Sequence, residues 1–132
     1  MAKPPPTHAR RRNISDWRVK RVFDLMACSL EHCSSPPPSV RELAAEVHLS
    51  KFRLEHRFKE QTGLTIKQCF KGLALRKAAR LLSNSLLSIK AISIECLYKW
   101  PVNLTEDFKK WFGKTPSEYR VAHFTKKRST FY

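Results

Sequence analysis

The feature that most constrains this chain is that it repeats itself. Ser39-Val40-Arg41-Glu42-Leu43-Ala44-Ala45-Glu46-Val47 aligns with Ser88-Ile89-Lys90-Ala91-Ile92-Ser93-Ile94-Glu95-Cys96, 49 positions later. After one inserted residue the match resumes, with Leu54, Phe58, Lys59, Gly63 and Thr65 falling on Leu104, Phe108, Lys109, Gly113 and Thr115. Self-similarity at a fixed spacing implies two copies of one supersecondary unit.

Each copy reads as a pair of helices. Apolar residues recur at three and four, only three glycines occur, and no Asn-Gly or Asp-Gly hairpin turn appears, so an all-α fold is expected. Ser39-x-x-Glu42, Thr65-x-x-Gln68 and Thr115-x-x-Glu118 fit the capping box, in which hydroxyl and carboxylate or amide satisfy each other's orphan backbone N–H. Gly63 and Gly113 follow amphipathic runs where a helix end wants a left-handed residue, and Pro36, Pro37 and Pro38 close the first helix. Seven helices are predicted, over residues 15–33, 39–47, 51–62, 66–84, 89–97, 102–112 and 117–123. The expected organisation is a disordered, basic, Pro-rich tail (1–13), a first helix-turn-helix subdomain (14–63), a long linker helix (64–84), a second helix-turn-helix subdomain (85–123) and a basic C-terminal tail (124–132).

A short capped helix, a turn of three or four residues and a second helix of about three turns is the helix-turn-helix layout. Leu43, Val47, Leu49, Leu54 and Phe58 are the expected core of the first copy, and Ile92, Cys96, Tyr98, Leu104 and Phe108 of the second. A helical hairpin used only for packing has the same pattern. Charge separates the two readings: 26 Lys and Arg against 11 Asp and Glu give a net +15, more than solubility needs, and point to a polyanionic partner. An anionic membrane would ask for an amphipathic basic helix or a lipid anchor, and neither a lipidation motif nor an apolar run of roughly 18 residues occurs. No secretory signal opens the chain, so a cytoplasmic location is expected.

Catalysis finds no support. The five His and four Cys are scattered, no Gly-rich phosphate loop occurs, and no acid, base and nucleophile share a helix face, so neither an enzyme nor a cofactor is expected. Cys28, Cys33, Cys69 and Cys96 match no zinc or thioredoxin spacing and read as free thiols. Cys28, His32 and Cys33 are the one set close enough to contribute to a metal site.

Leu43-Ala44-Ala45-Glu46-Val47, Leu49-Ser50-Lys51-Phe52-Arg53-Leu54 with Phe58-Lys59, Ala78-Ala79-Arg80-Leu81-Leu82, and above all Phe108-Lys109-Lys110-Trp111-Phe112-Gly113-Lys114-Thr115-Pro116-Ser117-Glu118-Tyr119-Arg120 carry a resemblance. The run from Ser39 to Arg120 resembles the DNA-binding domain of the AraC/XylS family of bacterial transcription regulators, and the short length is similar to its stand-alone MarA and SoxS-type members. The resemblance implies a monomer that binds two adjacent major-groove segments of double-stranded DNA, at a non-palindromic site because the two readers differ. RNA polymerase is a further expected partner; no segment is left over for an effector domain, so no small-molecule effector is expected within this chain, and the resemblance implies control through the amount of protein. A straight helix over 66–84 would span roughly 28 Å, approaching the roughly 34 Å between successive major-groove faces.

In the first reading helix Leu54 and Phe58 must face the core, which places Phe52, Glu55, His56 and Lys59 outward. Phe52 suits a thymine methyl, Glu55 cytosine N4 and His56 a purine N7, and the resemblance points to the same three positions for base contacts. Lys51, Arg53, Arg57 and Lys59 are expected at phosphates, which fix register without reading sequence. In the second reading helix Val102, Asn103, Thr105 and Glu106 are expected at base edges, Asn103 suiting adenine, with Lys109 at a phosphate.

Three departures from the family stand out. Its members usually carry a basic residue at the place of Glu106; with Asp107 beside it, repulsion from phosphates is expected. A protein-interaction module with a weakened second DNA reader is therefore an alternative. Glycine is frequent at the places of His48 and Leu97, where a left-handed leucine costs on the order of 1 kcal/mol, so the second turn is expected to be non-standard. Arg is usual at Ala74, leaving Arg76, Lys77 and Arg80 for the backbone.

Overall fold

A computed structural model describes residues 16–32 and 36–128. The basic N-terminal tail, Cys33 and the last four residues lie outside the described residues. Among those described, the chain forms helices and no strand: α1 (Trp17–Glu31), α2 (Val40–Glu46), α3 (Lys51–Thr62), α4 (Ile66–Asn84), α5 (Ile89–Glu95), α6 (Pro101–Phe112) and α7 (Pro116–Arg128). No described helix is long and apolar enough to cross a membrane.

α7 is longer than the sequence pattern predicts. It continues through Arg128, across residues expected to form the C-terminal tail. Loss of amphipathic periodicity does not end a helix; a breaker does, and no Gly or Pro follows Pro116.

The chain divides into two compact units, with the division between Leu73 and Ala74, inside α4. In the first unit α1 contributes Val19, Val22, Phe23 and Met26 to a core completed by Leu43, Ala44, Val47, Leu54, Phe58, Ile66 and Cys69. In the second, Leu75, Ala78 and Leu82 of α4 are buried, as are Ile92, Cys96, Leu104 and Phe108. Phe108 lies 4.5 Å from Phe112 and 5.3 Å from Tyr119, edge-on to the latter, which fastens α7 to α6 through the ring geometry aromatic pairs favour.

Helix starts follow the sequence signals closely. All three capping boxes form: Glu42 N donates to Ser39 Oγ at 3.1 Å, Gln68 N to Thr65 Oγ1 at 3.1 Å and Glu118 N to Thr115 Oγ1 at 3.2 Å, each with the return bond in place. Gly63 and Gly113 close α3 and α6 at φ 79° and 78°.

The two turns between paired helices are the same turn. His48 has φ 58° and Leu97 φ 61°, so the expectation of a non-standard second turn is corrected. In each, the following N–H reaches back to close the helix, Leu49 to the Ala44 carbonyl at 3.0 Å and Tyr98 to that of Ser93 at 2.8 Å. This is the Schellman pattern, built on residues other than glycine. Burial of Val47 and Leu54 on one side, and of Cys96 and Leu104 on the other, holds the backbone there despite a local cost of roughly 1–2 kcal/mol per turn.

Candidate nucleic-acid interface

α3 is a helix with one buried stripe. Leu54, Phe58 and Thr62 occupy the core side, and Ser50 caps the start by accepting from Arg53 N at 3.2 Å. The opposite side is exposed: Phe52 is 75% accessible, and Lys51, Arg53, Glu55, His56 and Lys59 are exposed with it. Phe52, Glu55, His56 and Lys59, grouped from helical spacing alone, line one open groove of about 530 Å³ together with Glu60 and Thr65. The Phe52 and His56 rings sit 6.4 Å apart along it.

Arg57 has a different setting. Its Nη1 donates to Asp16 Oδ2 at 2.9 Å, across 41 positions of sequence. Asp16 is also the N-cap of α1, accepting from Arg18 N at 2.9 Å and from the Arg18 side chain. Burial by itself would raise the Asp16 pKa. The hydrogen bonds from Arg18 and the charges of Arg18 and Arg57 outweigh that and hold the carboxyl below its ordinary value. Arg57 thus ties the reading helix to the start of α1, a link between residues too distant in sequence for spacing to show.

α6 has the same plan with other chemistry. Leu104 and Phe108 are buried, while Val102, Asn103, Glu106 and Lys109 are exposed. Thr105 is half-buried and its Oγ1 donates to the Pro101 carbonyl at 3.1 Å. Trp100 takes the N-cap place without a side-chain bond to the helix, and Pro101 occupies N1, where its missing N–H costs nothing. The start at Pro101 lies one residue before the predicted one.

Asp107 does not stand beside Glu106 on the outer face. It is half-buried, and Tyr98 Oη donates to its Oδ2 at 2.9 Å. Burial and this bond push the Tyr98 pKa up. The expected repulsion from two carboxylates is therefore corrected to one, Glu106.

Lys77 also leaves the list of cations open to a backbone. It is buried, its Nζ donating to the Glu95 carbonyl at 2.8 Å and lying 3.8 Å from the Glu95 carboxylate, so it neutralises the C-terminal end of α5. Arg76 and Arg80 remain exposed, and Ala74 is buried. Among the described residues no group of His, Cys, Asp and Glu is placed to hold a metal.

Two buried-core helix pairs, each turning at a left-handed residue and presenting the outer side of its second helix, define a double helix-turn-helix domain. A family model described as "Helix-turn-helix domain" matches residues 43–122. The xylose operon regulatory protein of Escherichia coli (strain K12) is 40% identical over 119 residues, covering 88% of this chain and 30% of its own length. The transcriptional activator RhaR of Mannheimia succiniciproducens is 35% identical over 96 residues, 66% of this chain and 34% of that protein. Among solved structures, the DNA-binding domain of the global transcriptional factor AdpA in complex with a target DNA superimposes with a TM-score of 0.72 at 28% identity, covering 82% of this chain and 96% of that one. The chain belongs to the AraC-type helix-turn-helix family of DNA-binding transcription regulators. It spans about a third of the length of these two curated relatives.

Proposed function

We propose that the chain binds a non-palindromic site on double-stranded DNA as a monomer, through both units, and regulates transcription from it. The observation that carries this reading is the groove along α3, where an aromatic ring, an acceptor, an imidazole and a cation stand side by side on an exposed helix. Major-groove recognition asks for that mixture: apolar contact for the thymine methyl, an acceptor for cytosine N4, a donor for purine N7. Phe52, Glu55 and His56 take those roles, and Lys51, Arg53 and Lys59 contact phosphates. In the second unit Val102, Asn103 and Glu106 meet base edges and Lys109 a phosphate, while the hydroxyl of Thr105 already serves its own helix. The net +15 supplies the sequence-independent part of the affinity.

Selection of binding sites from random duplexes, followed by titration of the selected site at several salt concentrations, tests the reading. A defined asymmetric sequence should emerge, and log K should fall linearly with log salt. Failure to enrich any sequence, or affinity indifferent to salt, refutes it. Glu106→Arg separates it from the protein-interaction alternative. A DNA reader should bind more tightly and gain about one to two in salt slope; an adaptor should lose its protein partner and show neither change.

A further inference from the structure

The two reading helices can be compared position by position, because Leu54 and Phe58 of α3 correspond to Leu104 and Phe108 of α6 and all four are fully buried. In that register Ser50 corresponds to Trp100, Lys51 to Pro101, Phe52 to Val102, Arg53 to Asn103 and His56 to Glu106. The second position of both helices is a large exposed apolar residue, Phe52 at 75% and Val102 at 61% accessibility. In α6 the apolar character extends backward: the cap is Trp100, 57% exposed, and the N1 residue is Pro101. The exposed side chains of Trp100 and Val102 are not needed for the fold, whose buried stripe is complete without them.

One cation stands at this tip: Lys99 places its Nζ 5.8 Å from the Trp100 ring centroid, while Lys109, Lys110 and Lys114 are exposed toward and beyond the far end of α6. A cation beside apolar side chains, on a chain of net +15, suits a duplex. Within the major groove the one strongly apolar feature is the C5 methyl of thymine.

Resting on the DNA-binding reading above, we propose that the tip of α6 is a thymine reader: Val102 packs on a thymine methyl in the half of the site that α6 enters, flanked by Trp100, and sequence is selected there mainly by apolar contact. The first unit reads with a mixed set of groups, the second with a narrow one, so the second half of the site should tolerate change at most positions and insist on thymine at one or two.

The test replaces each thymine of the selected site, one at a time, by deoxyuridine, which removes the methyl and leaves base pairing intact. Affinity of the full chain, of Val102→Ala and of Phe52→Ala is measured for each duplex by fluorescence anisotropy. Both residues are exposed, so both variants keep the fold, which circular dichroism checks. For the unsubstituted chain at least one replacement should weaken binding about four-fold, the worth of one buried methyl. That loss should vanish in Val102→Ala and persist in Phe52→Ala. If the site is bound selectively but no thymine is coupled to Val102, the proposal is overturned and the tip belongs to a protein partner. If no sequence is bound selectively, the DNA-binding reading itself has failed, a distinct outcome that removes the proposal with it.

Discussion

Replacing Asp16 by alanine should loosen the first reading helix from a point far outside it. Asp16 caps α1 and accepts from Arg57 Nη1 at 2.9 Å, and its side chain is only 10% exposed. Loss of the cap costs about 1 kcal/mol. The charged bond to Arg57 would contribute about 1.5–3 kcal/mol if fully buried, but the Arg57 side chain is 39% exposed, and screening reduces it to about 0.5–1 kcal/mol. Asp16→Ala should therefore destabilise by about 1.5–2 kcal/mol and lower Tm by about 5–10 °C for a chain of this size. Arg57→Ala should cost the smaller part only, and the double variant should show a coupling of about 0.5–1 kcal/mol. The folded-state pKa of Asp16 lies below its ordinary value of 3.8, so this carboxylate stabilises the fold above that pH, and the contribution disappears as pH falls through the lowered value. Asp16→Asn should accordingly flatten the acid limb of the stability curve below about pH 4. Thermal and urea denaturation followed by circular dichroism provide the assay, alongside the salt dependence of DNA binding. Because Arg57 is tied to Asp16, its removal should leave the salt slope unchanged, whereas Lys51→Ala should reduce it by about 0.9. An Arg57→Ala variant of full stability with a salt slope smaller by about one would refute the reasoning and return Arg57 to the phosphate backbone.

Further outcomes follow from other parts of the fold. Leu97→Gly should stabilise by up to about 1 kcal/mol in urea denaturation, because relief of left-handed strain outweighs the added chain entropy of glycine. Alkylation of the native protein, mapped by mass spectrometry, should modify Cys28 and spare Cys69 and Cys96: the first is exposed, the other two are buried, and burial pushes the Cys69 thiol up to about 12. Phe58→Ala and Phe108→Ala remove fully buried rings and should each cost about 3–5 kcal/mol, measurable as loss of the cooperative thermal transition at moderate temperature.

Much of the fold was legible because it is written in local signals. Capping boxes, left-handed glycines and the buried set Leu43, Val47, Leu54 and Phe58 with Ile92, Cys96, Leu104 and Phe108 depend on residues three to eleven apart, and they appear where expected. The grouping of Phe52, Glu55, His56 and Lys59 followed from the same periodicity. What escaped depends on which polar side chains meet across elements, which apolar periodicity does not show. Arg57 meets Asp16, Lys77 meets Glu95, and Tyr98 meets Asp107, each pair turning a residue that composition counts as surface charge into a tie between elements. The turn at Leu97 was misjudged for a related reason: local preference argues against φ 61°, but the packing of the flanking helices decides. Trp100 and Pro101 at the start of α6 carried a signal that was available, since proline favours N1, and it sets the helix one residue earlier than the apolar pattern alone.

The division of the chain within α4 bears on how such a protein can be inherited. Ile66 and Cys69 complete one core, while Leu75, Ala78 and Leu82 complete the other. A crossover before residue 66 strips the first reader of part of its floor, and one after residue 84 strips the second of its floor together with the lysine that secures α5. A crossover between Leu73 and Ala74 leaves each reader with its own floor, so exchange of halves is expected to keep both readers intact when it falls inside the helix and to damage one of them when it falls on either side.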